Sequence, residues 1–256
     1  MDQAADEIRD AVRRHYASLA RGTDQGCGCS SDGCCSGSPA SSTLYDPSIL
    51  TDIPAEASGL SLGCGDPVTL AEIQPGEVVL DLGSGAGLDC FLAARHAGET
   101  GRAIGVDMTP EMIERARANQ DRLRMPNVEF RLGQLEALPV DDESVDLVIS
   151  NCVINLVPNK EAALREAFRV LRPGGRLSVS DIVTRGPFPE ALRHDAELWS
   201  ECVTGAIELD EFLSLLTRVG FVDARAPATV SATSMLDLPE GLPEILSARI
   251  TARKPR

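Results

Sequence analysis

Hydrophobic positions divide the chain into three stretches. Between residues 4 and 20, Ile8, Ala11, Val12, Tyr16 and Leu19 recur at helical spacing, which predicts an amphipathic helix. Residues 22–43 have no period. The run GTDQGCGCSSDGCCSGSPASST is almost all Gly, Ser and Cys, cannot pack a core, and predicts a mobile loop. A linker with Pro47, Pro54 and Pro67 follows. From residue 77 the pattern alternates between apolar runs of strand length and amphipathic runs of helix length.

The runs EVVLDL (77–82), RAIGVD (102–107), NVEFRL (127–132), SVDLVIS (144–150) and GRLSVSDI (175–182) predict five buried strands. FVDARAPA (221–228) and EILSARITARK (244–254) predict two closing strands. Helices are predicted over about 87–97, over 109–123 with Thr109 as N-cap and Pro110 in the first turn, over 159–171, 189–204 and 208–219. The third of these ends at Pro173-Gly174-Gly175. Repeated strand–helix alternation implies an α/β fold with a doubly wound parallel sheet. The expected organisation has three parts. Residues 1–70 hold the N-terminal helix, the Cys-rich loop and a lid segment. Residues 71–183 form a cofactor-binding core. Residues 184–256 form a helical insertion and the closing strands.

Charge and composition narrow the chemistry. The 256 residues carry a formal net charge of -15, so phosphate backbones and anionic membrane surfaces are repelled. No nucleic-acid or membrane partner is expected. The acidic opening MDQAADEIRD has no apolar run and does not read as a leader, and no apolar stretch is long enough to span a bilayer. A cytoplasmic monomer is the expectation. In reducing surroundings, eight cysteines argue for metal, metalloid or redox chemistry before structural disulfides.

The loop after the first strand reads Asp81-Leu82-Gly83-Ser84-Gly85-Ala86-Gly87, a G-x-G-x-G spacing. A dinucleotide fingerprint wants a further glycine at position 88, where Leu88 stands, and an acid before the glycines disfavours a pyrophosphate. Asp81 suits instead the cationic amino-acid tail of S-adenosylmethionine. Asp107, at the end of the second strand, is placed to accept from both ribose hydroxyls. The turn Gly133-Gln134-Leu135-Glu136-Ala137-Leu138-Pro139 lies where adenine belongs, and Asn151 ends the fourth strand on the same edge. The bland alternative is a set of ordinary strand-end turns. The order of loop, Asp107, 133–139 turn and RVLRPGG (169–175) favours the cofactor.

Cys64 precedes the first strand, Cys152 follows the fourth, and Cys202 ends the helix after the fifth. Carboxyl ends of parallel strands form the ligand crevice, so Cys152 belongs beside a bound sulfonium, and the other two thiols sit on segments able to cover it. A lone buried cysteine is more often core, and Cys90, among Leu88, Phe91 and Leu92, reads that way. Three separate, unpaired cysteines do not resemble a zinc site, which favours C-x-x-C pairs. Trigonal thiolate coordination suits a soft centre such as trivalent arsenic, whose lone pair is a nucleophile that needs no general base.

Residues 70–255 resemble the class I S-adenosylmethionine-dependent methyltransferases. That resemblance implies a seven-stranded sheet whose last strand runs antiparallel, with Asp107 on the ribose, Met108 and Leu135 flanking adenine, and Asp81, Gly83 and Gly85 facing the methionine part. SLGCGDP, DLGSGAGLDCFLAA, IGVDMTPEMIERARAN, SNCVINL and ECVTGA are similar to the arsenite methyltransferases over nearly the whole chain. The likeness implies that Cys152 and Cys202 hold arsenic through successive methylations. Cys64 and an N-terminal cysteine would add thiolates or form disulfides with thioredoxin or glutathione as reductant, and the substrate would be arsenite or its thiol conjugate. The N-terminal thiol is one of Cys27, Cys29, Cys34 and Cys35, with Cys35 or Cys34 favoured. The chain departs from the branch with a Tyr-Tyr pair before Gly-Cys-Gly, since Ser61 and Leu62 stand there. Two other readings stay open here: a methyltransferase of a small carbon, oxygen or nitrogen acceptor with incidental thiols, and a non-catalytic metalloid-binding protein.

Overall fold

The computed structural model describes residues 3–22, 65–188, 199, 204–232 and 243–256. The parts of the predicted 22–43 loop beyond Gly22, the proline linker before residue 65, and most of the 189–204 helix lie outside them.

In chain order the elements are α1 (Gln3–Arg21), α2 (Pro67–Leu70), β1 (Val78–Leu82), α3 (Leu88–Ala97), β2 (Arg102–Asp107), α4 (Pro110–Leu123), β3 (Val128–Leu132), β4 (Val145–Asn151), a 3-10 turn (Ile154–Leu156), α5 (Lys160–Val170), β5 (Leu171–Arg185), α6 (Leu209–Val219), β6 (Val222–Ser231) and β7 (Glu244–Arg253). All seven strands join one sheet in the order β3-β2-β1-β4-β5-β7-β6. Neighbours from β3 to β5 pair in parallel, and β7 runs antiparallel to both β5 and β6.

Side chains alternate across each strand, and this splits the core in two. Leu80 and Leu82 of β1 face a cluster with Leu164 and Ala167 of α5 and Phe212 and Leu216 of α6. Val79 faces the other side, where Cys90, Phe91 and Ala94 of α3 pack with Ile113 and Ala116 of α4. A third cluster lies at the carboxyl edge, where Val12 of α1 meets Cys152, Leu156, Ile182 and Ile245.

Two local features depart from the periodicity reading. The fifth strand begins at Leu171 rather than 175 and runs to Arg185, because Leu171 already pairs with Val145 before an irregularity in register. The Pro173-Gly174-Gly175 stretch therefore interrupts a strand that has begun. The short α2 lies in the linker. Asp66 caps it by accepting from the Val68 and Thr69 amides at 2.9 Å each, with Pro67 at the first helical position.

Asp181 of β5 is fully buried beneath the 3-10 turn. It accepts from Asn155 Nδ2 at 2.8 Å and from the Ile182 amide at 2.9 Å. Burial pushes its pKa up to about 7, against the pull of those donors and of Lys160. The unfolded chain ionises this group near pH 4, so between about pH 4 and 7 the folded state holds a proton that the unfolded state has lost. The parent should therefore lose roughly 2–4 kcal/mol of stability across that window from this residue alone, with the loss levelling off above pH 7. Denaturant unfolding at pH 5 and pH 8 should show this difference shrink in Asp181→Asn. An equal difference in both proteins would remove Asp181 as its source.

Candidate active site

The order of strands reverses between β1 and β4. In an open α/β sheet this is where the helical connections part and leave a crevice beyond the carboxyl ends. A cleft opens there, beyond the carboxyl ends of the strands. Gly83, Ser84 and Gly85 form one wall, Asp107, Met108 and Thr109 another, Gly133, Leu135 and Glu136 a third, and Asn151, Cys152 and Val153 the last.

The glycine loop is fixed by its backbone. The amides of Gly83 and Ser84 both donate to the Val106 carbonyl, at 2.8 and 3.1 Å, which folds the end of β1 against β2. Gly83 has φ +69, and a Cβ there would stand 2.5 Å from the Val153 side chain. Gly85 has φ +50 with open space where a side chain would be, and its amide donates to Asp107 Oδ2 at 2.9 Å. The Thr109 amide donates to Asp107 Oδ1 at 2.8 Å. Burial raises the Asp107 pKa, while these donors pull it back. One carboxylate is thus held by two backbone amides at the edge of the cleft, with lone pairs left for a diol. An open glycine cradle, an anchored acid at the end of β2 and apolar walls from Met108 and Leu135 fit the nucleoside of S-adenosylmethionine.

Of the sequence-derived cofactor residues, Gly83, Gly85, Asp107, Met108, Leu135 and Asn151 line the cleft. Asp81, Gly87 and Gln134 do not. The pleat explains Asp81: it shares the face of Val79 and turns beneath α3, where it accepts from the Cys90 thiol at 3.4 Å. Burial first, and then Asp89 nearby, raises the Asp81 pKa well above the usual carboxylate range, and burial and Asp81 together raise that of Cys90. Cys90 is a fully buried core thiol. Gly87 caps α3 with φ +97, and Gln134 bridges to Ala137 beside the cleft.

Cys152 sits at the tip of β4, 5% exposed, with φ +57, a left-handed conformation uncommon outside glycine. Its amide donates to Ser180 O at 2.8 Å. Cys27, Cys29, Cys34, Cys35, Cys64 and Cys202 lie outside the described residues, and with them the proposed convergence of Cys64, Cys152 and Cys202.

Several cleft residues were missed by the sequence reading. Arg9, Val12 and Tyr16 of α1 form a roof. Arg9 donates to Glu136 Oε1 through Nε and Nη2 at 3.2 and 2.9 Å, fastening α1 to the 133–139 turn. Arg115 donates to Ala20 O at 2.6 Å, and Arg21 pairs with Glu111, fastening α1 to α4. The helical period of α1 was legible, but its destination was not, because periodicity names a face and not its partner. Asp89 also lines the cleft, in the first turn of α3, where an acid reads simply as favourable to the helix dipole.

The Methyltransferase domain family matches residues 73–220. With the strand order, the cleft and the anchored Asp107, this defines a class I methyltransferase. The particular likeness is narrower. The arsenite methyltransferase of Halobacterium salinarum is 44% identical, over 99% of this chain and 68% of its own length. That of Aquipseudomonas alcaligenes is 36% identical, over 85% of this chain and 63% of its own. The crystal structure of CrArsM, an arsenic(III) S-adenosylmethionine methyltransferase from Chlamydomonas reinhardtii, superposes with a TM-score of 0.72 at 36% identity, covering 86% of this chain and 75% of that one. The chain belongs to the arsenite methyltransferases, and spans about two thirds of the length of the two curated relatives.

Asp107→Ala should weaken S-adenosylhomocysteine binding by about 1.5–3 kcal/mol, the worth of hydrogen bonds to a charged acceptor. Arg9→Ala should weaken it less, by about 1 kcal/mol, since that ion pair is only partly buried. Calorimetry checks both. Unchanged affinity in Asp107→Ala would remove this residue from the cofactor site.

Proposed function

We propose that this enzyme methylates trivalent arsenic held by cysteine thiolates, with Cys152 as the ligand nearest the methyl donor. One observation supports it above the others: Cys152 is a nearly buried cysteine in the wall of the cleft, next in sequence to Val153, whose side chain lies against Gly83 of the cofactor loop. Cys64 and Cys202 complete the ligand set in this reading, and Cys35 or a neighbour in the N-terminal cluster supplies a further thiol. The substrate is arsenite or a thiol conjugate of it.

S-adenosylmethionine supplies a methyl group made electrophilic by its sulfonium. Asp107, Met108 and Leu135 hold the nucleoside end and the glycine loop holds the remainder. The trivalent arsenic, bound through sulfur, directs its lone pair along the S–CH₃ axis. The As–C bond forms as the S–C bond breaks, and the electron pair of the latter stays on sulfur in S-adenosylhomocysteine. Arsenic is thereby formally oxidised from three to five. Two thiols then return two electrons to it and become one disulfide, which thioredoxin or glutathione reduces. The protein contributes positioning and exclusion of water, with α1 closing the cleft.

The deciding measurement is the speciation of arsenic after incubation with arsenite, S-adenosylmethionine and thiols. Cys152→Ser and Cys202→Ser should lose roughly 100-fold or more on both arsenite and methylarsenite, since one thiolate cannot orient the lone pair. Cys64→Ser should lose arsenite methylation yet keep part of its activity on methylarsenite, which has two exchangeable positions instead of three. If Cys152→Ser handles methylarsenite at the parent rate, this assignment of roles is wrong.

A further inference from the structure

Of the 24 lysines and arginines, two are lysines, Lys160 and Lys254. Both are built into the fold in the same way. Lys254 Nζ donates to Phe168 O at 2.9 Å and to Leu171 O at 2.7 Å, and stands 4.8 Å from the centre of the Phe168 ring. Lys160 Nζ donates to Asn155 O and Val157 O at 3.1 Å each, and stands 5.1 Å from the centre of the Trp199 ring. A compact ammonium with three donors suits two converging carbonyls and a ring, whereas a planar, forked guanidinium matches that arrangement poorly. Helix chemistry does not call for Lys160. It is the first residue of α5, where the helix dipole disfavours a cation.

What Lys160 caps is the 3-10 turn that starts two residues after Cys152. Cys152, Val153, Leu156 and Val157 line the cleft, so this turn is one of its walls. The carbonyls from 153 to 157 are all engaged. Val153 O and Ile154 O accept from the amides of Leu156 and Val157 at 3.0 and 3.2 Å. Leu156 O accepts from Trp199 Nε1 at 3.2 Å, and Lys160 takes the carbonyl on either side of it. From beneath, Asp181 accepts from the Asn155 amide at 3.3 Å and from Asn155 Nδ2 at 2.8 Å. The Lys160 charge favours the ionised form of that carboxylate. Gly205 is pressed on the same backbone, since a Cβ there would lie 2.1 Å from Asn155 O. Cys152, with φ +57, makes the chain turn at once, and side chains from β5, α5 and Trp199 hold the turn that results.

We propose that Lys160 is a positioning residue for methyl transfer: by capping Asn155 and Val157 it fixes the turn that follows Cys152, and so sets the wall of the cleft that the methyl acceptor meets. This rests on the reading of Cys152 as the acceptor's side of the cleft. Lys160 does not itself line the cleft. It acts through the turn, whose Val153 lies against Gly83 of the cofactor loop. In-line transfer is steep in distance and angle, and a displacement of about 1 Å costs on the order of 100-fold in rate. Asp107, Met108 and Leu135 stand on other walls, so the nucleoside keeps its contacts when the turn shifts. The loss therefore falls on kcat and spares cofactor binding.

The test uses the reduced full chain and three variants. Lys160→Met keeps the aliphatic stem and loses the ammonium. Lys160→Arg keeps the charge and loses the compact three-donor geometry. Lys254→Met removes the same construction at the opposite edge of the sheet and serves as the structural control. With arsenite, S-adenosylmethionine and thiols, kcat should fall about 10- to 100-fold in Lys160→Met and by an intermediate factor in Lys160→Arg. The KM for S-adenosylmethionine and the calorimetric affinity for S-adenosylhomocysteine should stay within about threefold of the parent, since positioning acts on the reacting geometry. Lys254→Met should lower Tm and leave kcat unchanged. Trp199 is the single tryptophan, so its emission reports on the turn. That emission should shift in both Lys160 variants and not in Lys254→Met. If Lys160→Met fails to fold, Lys160→Gln carries the same comparison. A parent-like kcat in the Lys160 variants, an unchanged Trp199 emission, or an equal loss of kcat in Lys254→Met would overturn the role of Lys160. A parent that transfers no methyl group to arsenite sinks the acceptor reading and this role together, whereas an active parent with an equally active Lys160→Met overturns Lys160 alone.

Discussion

The site depends on the point between β1 and β4 where the sheet changes its direction of winding. Connections leave β1 and β4 towards opposite faces, α3 to one and α5 to the other, so neither can cover the strand ends beyond which they part. A crevice results from connectivity before any side chain is chosen. What the sequence adds is a way to keep it narrow. Gly83 lets the chain lie against Val153, and the amides of Gly83 and Ser84 seal the end of β1 to Val106. The cleft is therefore held open by topology and held together by backbone hydrogen bonds. Its side chains are correspondingly free to serve ligands.

Carboxylates set in such a place are costly for a chain that already carries a net charge of -15. Those in the cleft and the buried acids near it are each dealt with differently. Asp107 is stabilised by two amides, Asp81 is sheltered beside a thiol, Asp89 is clasped by Asn151, and Asp181 is raised towards neutrality within its own network. Among the described residues, a cation meets a carboxylate of the cleft at the rim, where Arg9 pairs with Glu136. A centre lined by acids rather than bases is suited to a cationic cofactor and ill suited to a phosphate.

Much of this was legible in the sequence, because strand runs and strand-end motifs are local. The bounds of β2 follow directly from its apolar run, and the succession of strands and helices fixes the fold class. Asp81 does not line the cleft, for a reason the sequence also contains: it is two residues from Val79, on the α3 side of the pleat, so an acid before the glycines need not point into the cleft. The start of β5 was hidden because Pro173 and the glycines signal a turn, and nothing local reveals that Leu171 has already met Val145. The roof of α1 and the clasp of Asn151 on Gly65 join residues more than eighty positions apart, beyond the reach of periodicity.

The left-handed backbone of Cys152 has one more implication. Along a regular strand a side chain is assigned to one face or the other, so a residue at the tip is chosen for how it packs. A residue with positive φ leaves that alternation, and the chain turns at once into Ile154, which is fully buried again. The position thus leaves the alternation of β4 while still packing in the cluster with Val12, Leu156 and Ile245. Whatever residue stands there must accept a positive φ and fit that cluster at once, so the edge of the cleft is set by backbone conformation as much as by side-chain choice.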